Sequence, residues 1–140
     1  MSTGGAWKIN QKELEYMITP EKILEDYKLR VQLMYAQKVP SKEVQDLSTQ
    51  DVMYIRAILH PTKRVESKAM TRELLKFIYE NKIVTAEQIY DTYGWSDNPV
   101  MKRLKLLKGF GLVKRVSKKY YLATPRLGIL MTEYLDELCK

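Results

Sequence analysis

The chain has 140 residues, 45% of them apolar and 29% charged, with a formal net charge of +7. That apolar share argues against a disordered chain, and the positive excess directs attention to an anionic partner such as nucleic acid or a membrane surface. One cysteine, Cys139, and one histidine, His60, allow neither an internal disulfide nor a Cys/His zinc set, and no run is long and apolar enough to cross a bilayer.

Residues 1–6 are small and Gly-rich and read as a disordered start. The opening "MSTGGAWKINQ" has no signal-peptide core, so a cytoplasmic location is expected, with no membrane partner. "TPEKILEDYKLRVQLMYAQK" predicts a long helix: Thr19 as N-cap, Pro20 in the first turn, Glu21 at the positive dipole end, and Ile23, Tyr27, Val31 and Met34 at helical spacing. "VPS" breaks it. "STQDVMYIRAILH" predicts a second helix with Ser48 and Asp51 as a capping box, ended by Pro61. The charged link "TKRVESK" sets the expected division of the chain: a helical extension over 1–65, for dimerisation or bracing, and a second unit over 66–140.

In that second unit "AMTRELLKFIYENK" predicts an amphipathic helix, and Ile83-Val84 a very short strand. Thr85 and Gln88 cap a two-turn helix that Gly94 ends. "WSDNPVMKRLKLLKG" predicts the next helix, with Ser96 or Asp97 as cap, Val100, Leu104 and Leu107 on its buried stripe, and its end at Gly109 or Gly111. "LVKRV-SKK-YYLA" reads as two short strands around a tight polar turn. Thr124-Pro125 then opens a last helix whose apolar face is Leu127, Leu130, Met131, Tyr134 and Leu138. The fold class is mainly α with a small β-hairpin, preceded by the helical extension.

Charge is distributed unevenly along these elements. The balance is +2 before Glu66 and +5 from Glu66 onward. The excess is concentrated in "VMKRLKLLKGFGLVKRVSKKYYLATPR", Val100 to Arg126, which holds nine Lys/Arg and no Asp or Glu. Taking about 100° per residue and centring the buried stripe on Val100, Leu104 and Leu107, the side chains of Asn98, Lys102 and Lys105 point outward, with Met101 and Lys108 flanking. Arg103 lies nearer the core edge, where it is expected to bond a phosphate or a neighbouring acid. Ser117, Lys118 and Lys119 form the hairpin tip, with Arg115 just before it; such a tip cannot bury three cations but can lay them along a phosphate backbone or a minor groove. The bland alternatives are a solvated helix face, a charged turn that blunts a strand edge, and Asn98 serving only as a cap. Tyr120, Tyr121 and Trp95 read as packing residues rather than base-stacking platforms.

The segments "LLKFIYENKIVTAEQIYDTYGWS", "VMKRLKLLKGFGLVKR" and "YYLATP" together resemble the winged helix-turn-helix superfamily. The resemblance covers Lys68 to Lys140, about half the chain. It implies that a recognition helix over 98–108 enters the DNA major groove and that a wing over 112–123 lies on the backbone. The DNA-contacting set is then Asn98, Met101, Lys102, Arg103, Lys105, Lys108, Arg115, Lys118 and Lys119. Asn suits adenine and Lys suits guanine in such a groove. The resemblance also implies a homodimer, with Leu130, Tyr134 and Leu138 of the last helix as its seam; Tyr27, Val31, Met34 and Tyr35 of the first helix are the other candidates. The expected function is sequence-specific double-stranded DNA binding by a transcriptional regulator. Two alternatives stay open: a winged-helix protein–protein module, and a non-specific architectural or replication-associated DNA binder. No Gly-rich phosphate loop, metal cluster or nucleophile–base pair is present, so no enzyme, cofactor, metal or small-molecule ligand is expected.

Overall fold

The computed structural model describes residues 19–37 and 41–140; the expectation for residues 1–6 lies outside them. Helix α1 spans Pro20–Gln37, and the Thr19 hydroxyl accepts from the Lys22 amide at 3.1 Å. A single 3₁₀ turn, Lys42–Val44, leads to α2, Thr49–Leu59. Both halves of the α2 capping box form: the Ser48 hydroxyl accepts from the Asp51 amide at 3.1 Å and the Asp51 carboxylate from the Ser48 amide at 2.9 Å.

Helix α3 spans Val65–Asn81, so "VESK" of the charged link is helical rather than loop. The reason is local. The true break is at Pro61 and at Lys63, which adopts a left-handed conformation (φ 54), and Glu66 then sits favourably at the positive end of the helix dipole. Strand β1, Ile83–Thr85, follows, then α4, Ala86–Tyr93, with the Thr85–Gln88 capping box formed and Gly94 left-handed (φ 67) at its end. Helix α5 is Asp97–Gly109.

The turn out of α5 has a defined architecture. The Leu112 amide bonds the Leu107 carbonyl (3.0 Å) and the Gly111 amide bonds the Lys108 carbonyl (3.1 Å), the two bonds of a Schellman motif. Gly111 is the left-handed residue (φ 77), and a Cβ there would stand 2.9–3.0 Å from Lys42 side-chain and backbone atoms. Phe110 is accommodated in ordinary helical geometry one position earlier.

Strands β2, Val113–Arg115, and β3, Tyr120–Ala123, complete a three-stranded antiparallel sheet in the order β1-β3-β2. Leu122 of β3 pairs with Ile83 on one side and Lys114 on the other. Thr124 caps the final helix α6 through the Leu127 amide (3.2 Å), and its hydroxyl donates to the Gly111 carbonyl (2.7 Å). Helix α6 runs as Pro125–Ile129, then a π-helical turn over Leu130–Tyr134, then Leu135–Leu138. In regular α-helix, Leu130 and Leu138 would differ by about 80°. The extra residue of a π turn removes about 100°, which brings them within about 20° of one line. Both are fully buried.

One hydrophobic core runs through the chain from Leu47 to Leu138. Val52, Ile55 and Leu59 of α2 share it with Leu74 and Ile78 of α3, Val100, Leu104 and Leu107 of α5, and Leu127 and Leu130 of α6. The residues before the expected division at 65/66 are therefore packed into the same core as those after it. The protein is mainly helical with a small antiparallel sheet, and no described helix is long and apolar enough to cross a membrane.

Candidate nucleic-acid interface

The buried stripe of α5 turns the opposite face of the helix outward. Val100, Leu104 and Leu107 are fully buried, while Asn98, Met101, Lys102, Lys105 and Lys108 are exposed. A cleft of about 440 Å³ lies between α5 and the sheet, lined by Met101, Lys102, Lys105, Lys108 and Arg115, with Leu104 and Tyr121 as its apolar base. Four cations line it, and no acid does. Arg115 belongs to it because it pairs across the hairpin with Tyr121, and its guanidinium stands 5.9 Å from that ring.

The hairpin turn is braced from within. The Ser117 hydroxyl accepts from the amides of Lys119 and Tyr120, both at 3.3 Å, and Arg115 donates to the Lys118 carbonyl at 2.8 Å. These bonds fix the turn, and Lys118 and Lys119 are both exposed there. The Lys119 ammonium stands 5.7 Å from the Tyr120 ring.

Arg103 does not join the other cations. Its guanidinium turns toward α3 and donates to the Thr71 hydroxyl (3.2 Å), the Ser67 hydroxyl (2.8 Å) and the Ser67 carbonyl (3.4 Å), and back to the Pro99 carbonyl (3.2 Å). Neither a phosphate-facing position nor an acidic partner results, which corrects the expectation for this residue. It serves as a clamp between α5 and α3, and burial lowers its pKa.

Two further cations of the acid-free run are also taken up internally, by acids from the N-terminal part of the chain. Lys114 pairs with Glu43 at 3.0 Å, and Arg126, only 5% exposed, pairs with Asp51 at 3.6 Å. Lys102, Lys105, Lys108, Arg115, Lys118 and Lys119 form no ion pair with any described residue. Alternation along β2 separates Lys114 from Arg115; that signal is in the sequence, while the identity of the Lys114 partner is not. Leu104 and Tyr121 as the cleft base, and Trp95 stacked on Tyr93 (4.2 Å, 10°) beside the core, follow from packing.

The expected dimer seam is corrected. Leu130 and Leu138 are fully buried in this chain's own core and Tyr134 packs against it, because α2 covers the apolar face of α6. Tyr27 of α1 is likewise buried. Among the described residues the large apolar side chains left exposed are Leu29, Leu33 and Tyr35 on α1, Met53, Tyr54 and Ile58 on α2, Val65, and Met101. Among the described residues no group of His, Cys, Asp and Glu is arranged to hold a metal ion.

No protein-family model, curated protein or solved structure matches the chain.

Proposed function

We propose that this protein is a winged helix-turn-helix protein that binds double-stranded DNA sequence-specifically and regulates transcription. The observation that carries the reading is the sorting of the basic run. Three of its nine cations are bonded to the N-terminal part of the chain or to α3, and the other six, without an ion pair among the described residues, are left on α5 and the adjoining hairpin. In this reading α5 enters the major groove, with Asn98, Met101, Lys102 and Lys105 toward base edges and Lys108 toward phosphate. Arg115, Lys118 and Lys119 lie along the backbone. The element order α3, β1, α4, α5, β2, β3 supports the winged form, with α4, the Gly94–Ser96 turn and α5 as the helix-turn-helix. A second copy reading a two-fold site could meet the first through the exposed apolar residues of α1 or α2, since the apolar face of α6 is covered.

The test is selection from random duplexes at two salt concentrations, with wild type and Lys102→Ala/Lys105→Ala. A preferred site that the double variant loses supports the regulator. Tight but unselective binding would make the protein architectural, and absence of duplex binding at moderate salt would overturn the DNA reading.

A further inference from the structure

A second cleft, of about 500 Å³, shares no residue with the one beside α5. It lies where α2, the loop after it, the start of α3 and the end of α6 meet. Its charged lining is Arg56, Lys63, Lys68, Lys140 and Glu137, and His60 contributes to its wall. Arg56 is committed to Glu137, donating to its carboxylate at 3.0 Å and its carbonyl at 3.1 Å, and Lys140 stands 3.9 Å from the same carboxylate. Lys63 and Lys68 have no acidic partner among the described residues. Lys63 is held next to His60 by its left-handed backbone and by its amide, which bonds the His60 carbonyl at 3.2 Å.

His60 is only 3% exposed. The Ser67 hydroxyl accepts from Arg103 at 2.8 Å and lies 3.4 Å from His60 Nδ1. His60 Nε2 is buried and has no hydrogen-bond partner among the described residues, although buried polar atoms are normally bonded. Burial first, then the charges of Arg103 and Lys68, hold the His60 pKa below its ordinary 6.5, which keeps the ring neutral near pH 7.

We propose that this cleft binds a small anion through a terminal phosphate or carboxylate, with Lys63 and Lys68 supplying the charge beside the buried His60 ring. A chelating or cationic ligand does not fit, since the lining carries four cations and a single acid already bonded to two of them. The site does not rest on the DNA reading. It does adjoin α5 chemically, because the Ser67 hydroxyl that orients His60 also holds Arg103.

His60 is the single histidine of the chain, so its ring signals in a ¹H–¹⁵N spectrum of the full-length labelled protein are a unique reporter. Inorganic phosphate and, separately, succinate are titrated at constant ionic strength against sodium chloride. The expected result is a saturable shift of the His60 ring nitrogens. Whichever of the two probes saturates at lower concentration identifies the recognised group. Lys63→Gln/Lys68→Gln should raise the midpoint at least tenfold, while Lys102→Ala/Lys105→Ala on α5 should leave it unchanged. The Lys63 and Lys68 side chains make no bond within the described residues, so their replacement leaves the fold intact. A response to both probes no larger than that to chloride overturns the site, as does a midpoint unaffected by the Lys63/Lys68 variant.

Discussion

Lys105 and Lys114 lie nine positions apart in the same acid-free run, and replacing either by Ala removes one positive charge. The structure predicts different consequences. Lys105 lines the cleft beside α5 with no ionic partner, whereas Lys114 is held at 3.0 Å by Glu43. If the six unpaired cations each meet a phosphate, the slope of log K against log salt is about −0.9 per contact, or about −5.4 in all. Between 50 and 200 mM salt that amounts to a loss of affinity of about 10³-fold. Lys105→Ala should reduce the slope to about −4.5 and Lys102→Ala/Lys105→Ala to about −3.6, whereas Lys114→Ala should leave it near the wild-type value. Fluorescence anisotropy with one labelled duplex, at four or more salt concentrations, measures all four proteins. Equal slope changes for Lys105→Ala and Lys114→Ala would refute the reasoning, because net charge rather than the geometry of the face would then govern binding.

Arg103→Ala should destabilise the protein by about 2–3 kcal/mol in urea unfolding, since it strips bonds from the buried Thr71 hydroxyl and from Ser67; its DNA salt slope at low temperature should match wild type. Gly111→Ala should cost at least about 1–2 kcal/mol, because the left-handed backbone and the Lys42 backbone at 3.0 Å both oppose a Cβ. A stability unchanged within error would contradict that turn geometry. For His60 the folded pKa is below the unfolded value of about 6.5, so the unfolded chain binds more protons in that window. Its contribution is therefore complete above about pH 6.5 and is lost as pH falls from there through the folded pKa. Urea midpoints between pH 7.5 and 5 should decline more steeply for wild type than for His60→Gln, and parallel curves would count against a buried neutral ring.

Locally determined features were the legible ones. Ser48 with Asp51, Thr85 with Gln88, and Thr124 before Pro125 place three helix starts, because each cap is completed within three residues. The β-branched pair Ile83-Val84 marks a strand without showing which strand it joins. The outward row of α5 follows from three apolar residues at helical spacing. What could not be read depends on residues distant in sequence. The apolar stripe of α6 is plain, but whether α2 or a second copy covers it is a tertiary matter. The π turn that aligns Leu130 with Leu138 has no marker in the local sequence. Arg103 sits at the edge of the α5 stripe, so periodicity leaves its partner undecided between solvent and α3. Glu43 lies 71 residues from Lys114, and no local signal connects them.

The N-terminal part of the chain therefore does more than precede the basic face. Asp51 is held as a carboxylate by the Ser48 amide and hydroxyl, which lower its pKa more than Arg126 does, so the same residue that starts α2 also carries the charge beside Arg126. Lys42–Val44 packs where α5 turns into β2: Lys42 stands against Gly111 and Glu43 bonds Lys114. These contacts remove one cation from β2 and one from the start of α6 while fixing the angle at which the hairpin leaves α5. The remaining cations are confined to one helix face and one turn, and the cleft between them is lined by four cations without an intervening acid. A uniformly basic run would attract any polyanion. A run with its positions sorted in this way presents charge along a defined line, which is the physical requirement for placing a helix in one register against a phosphate backbone.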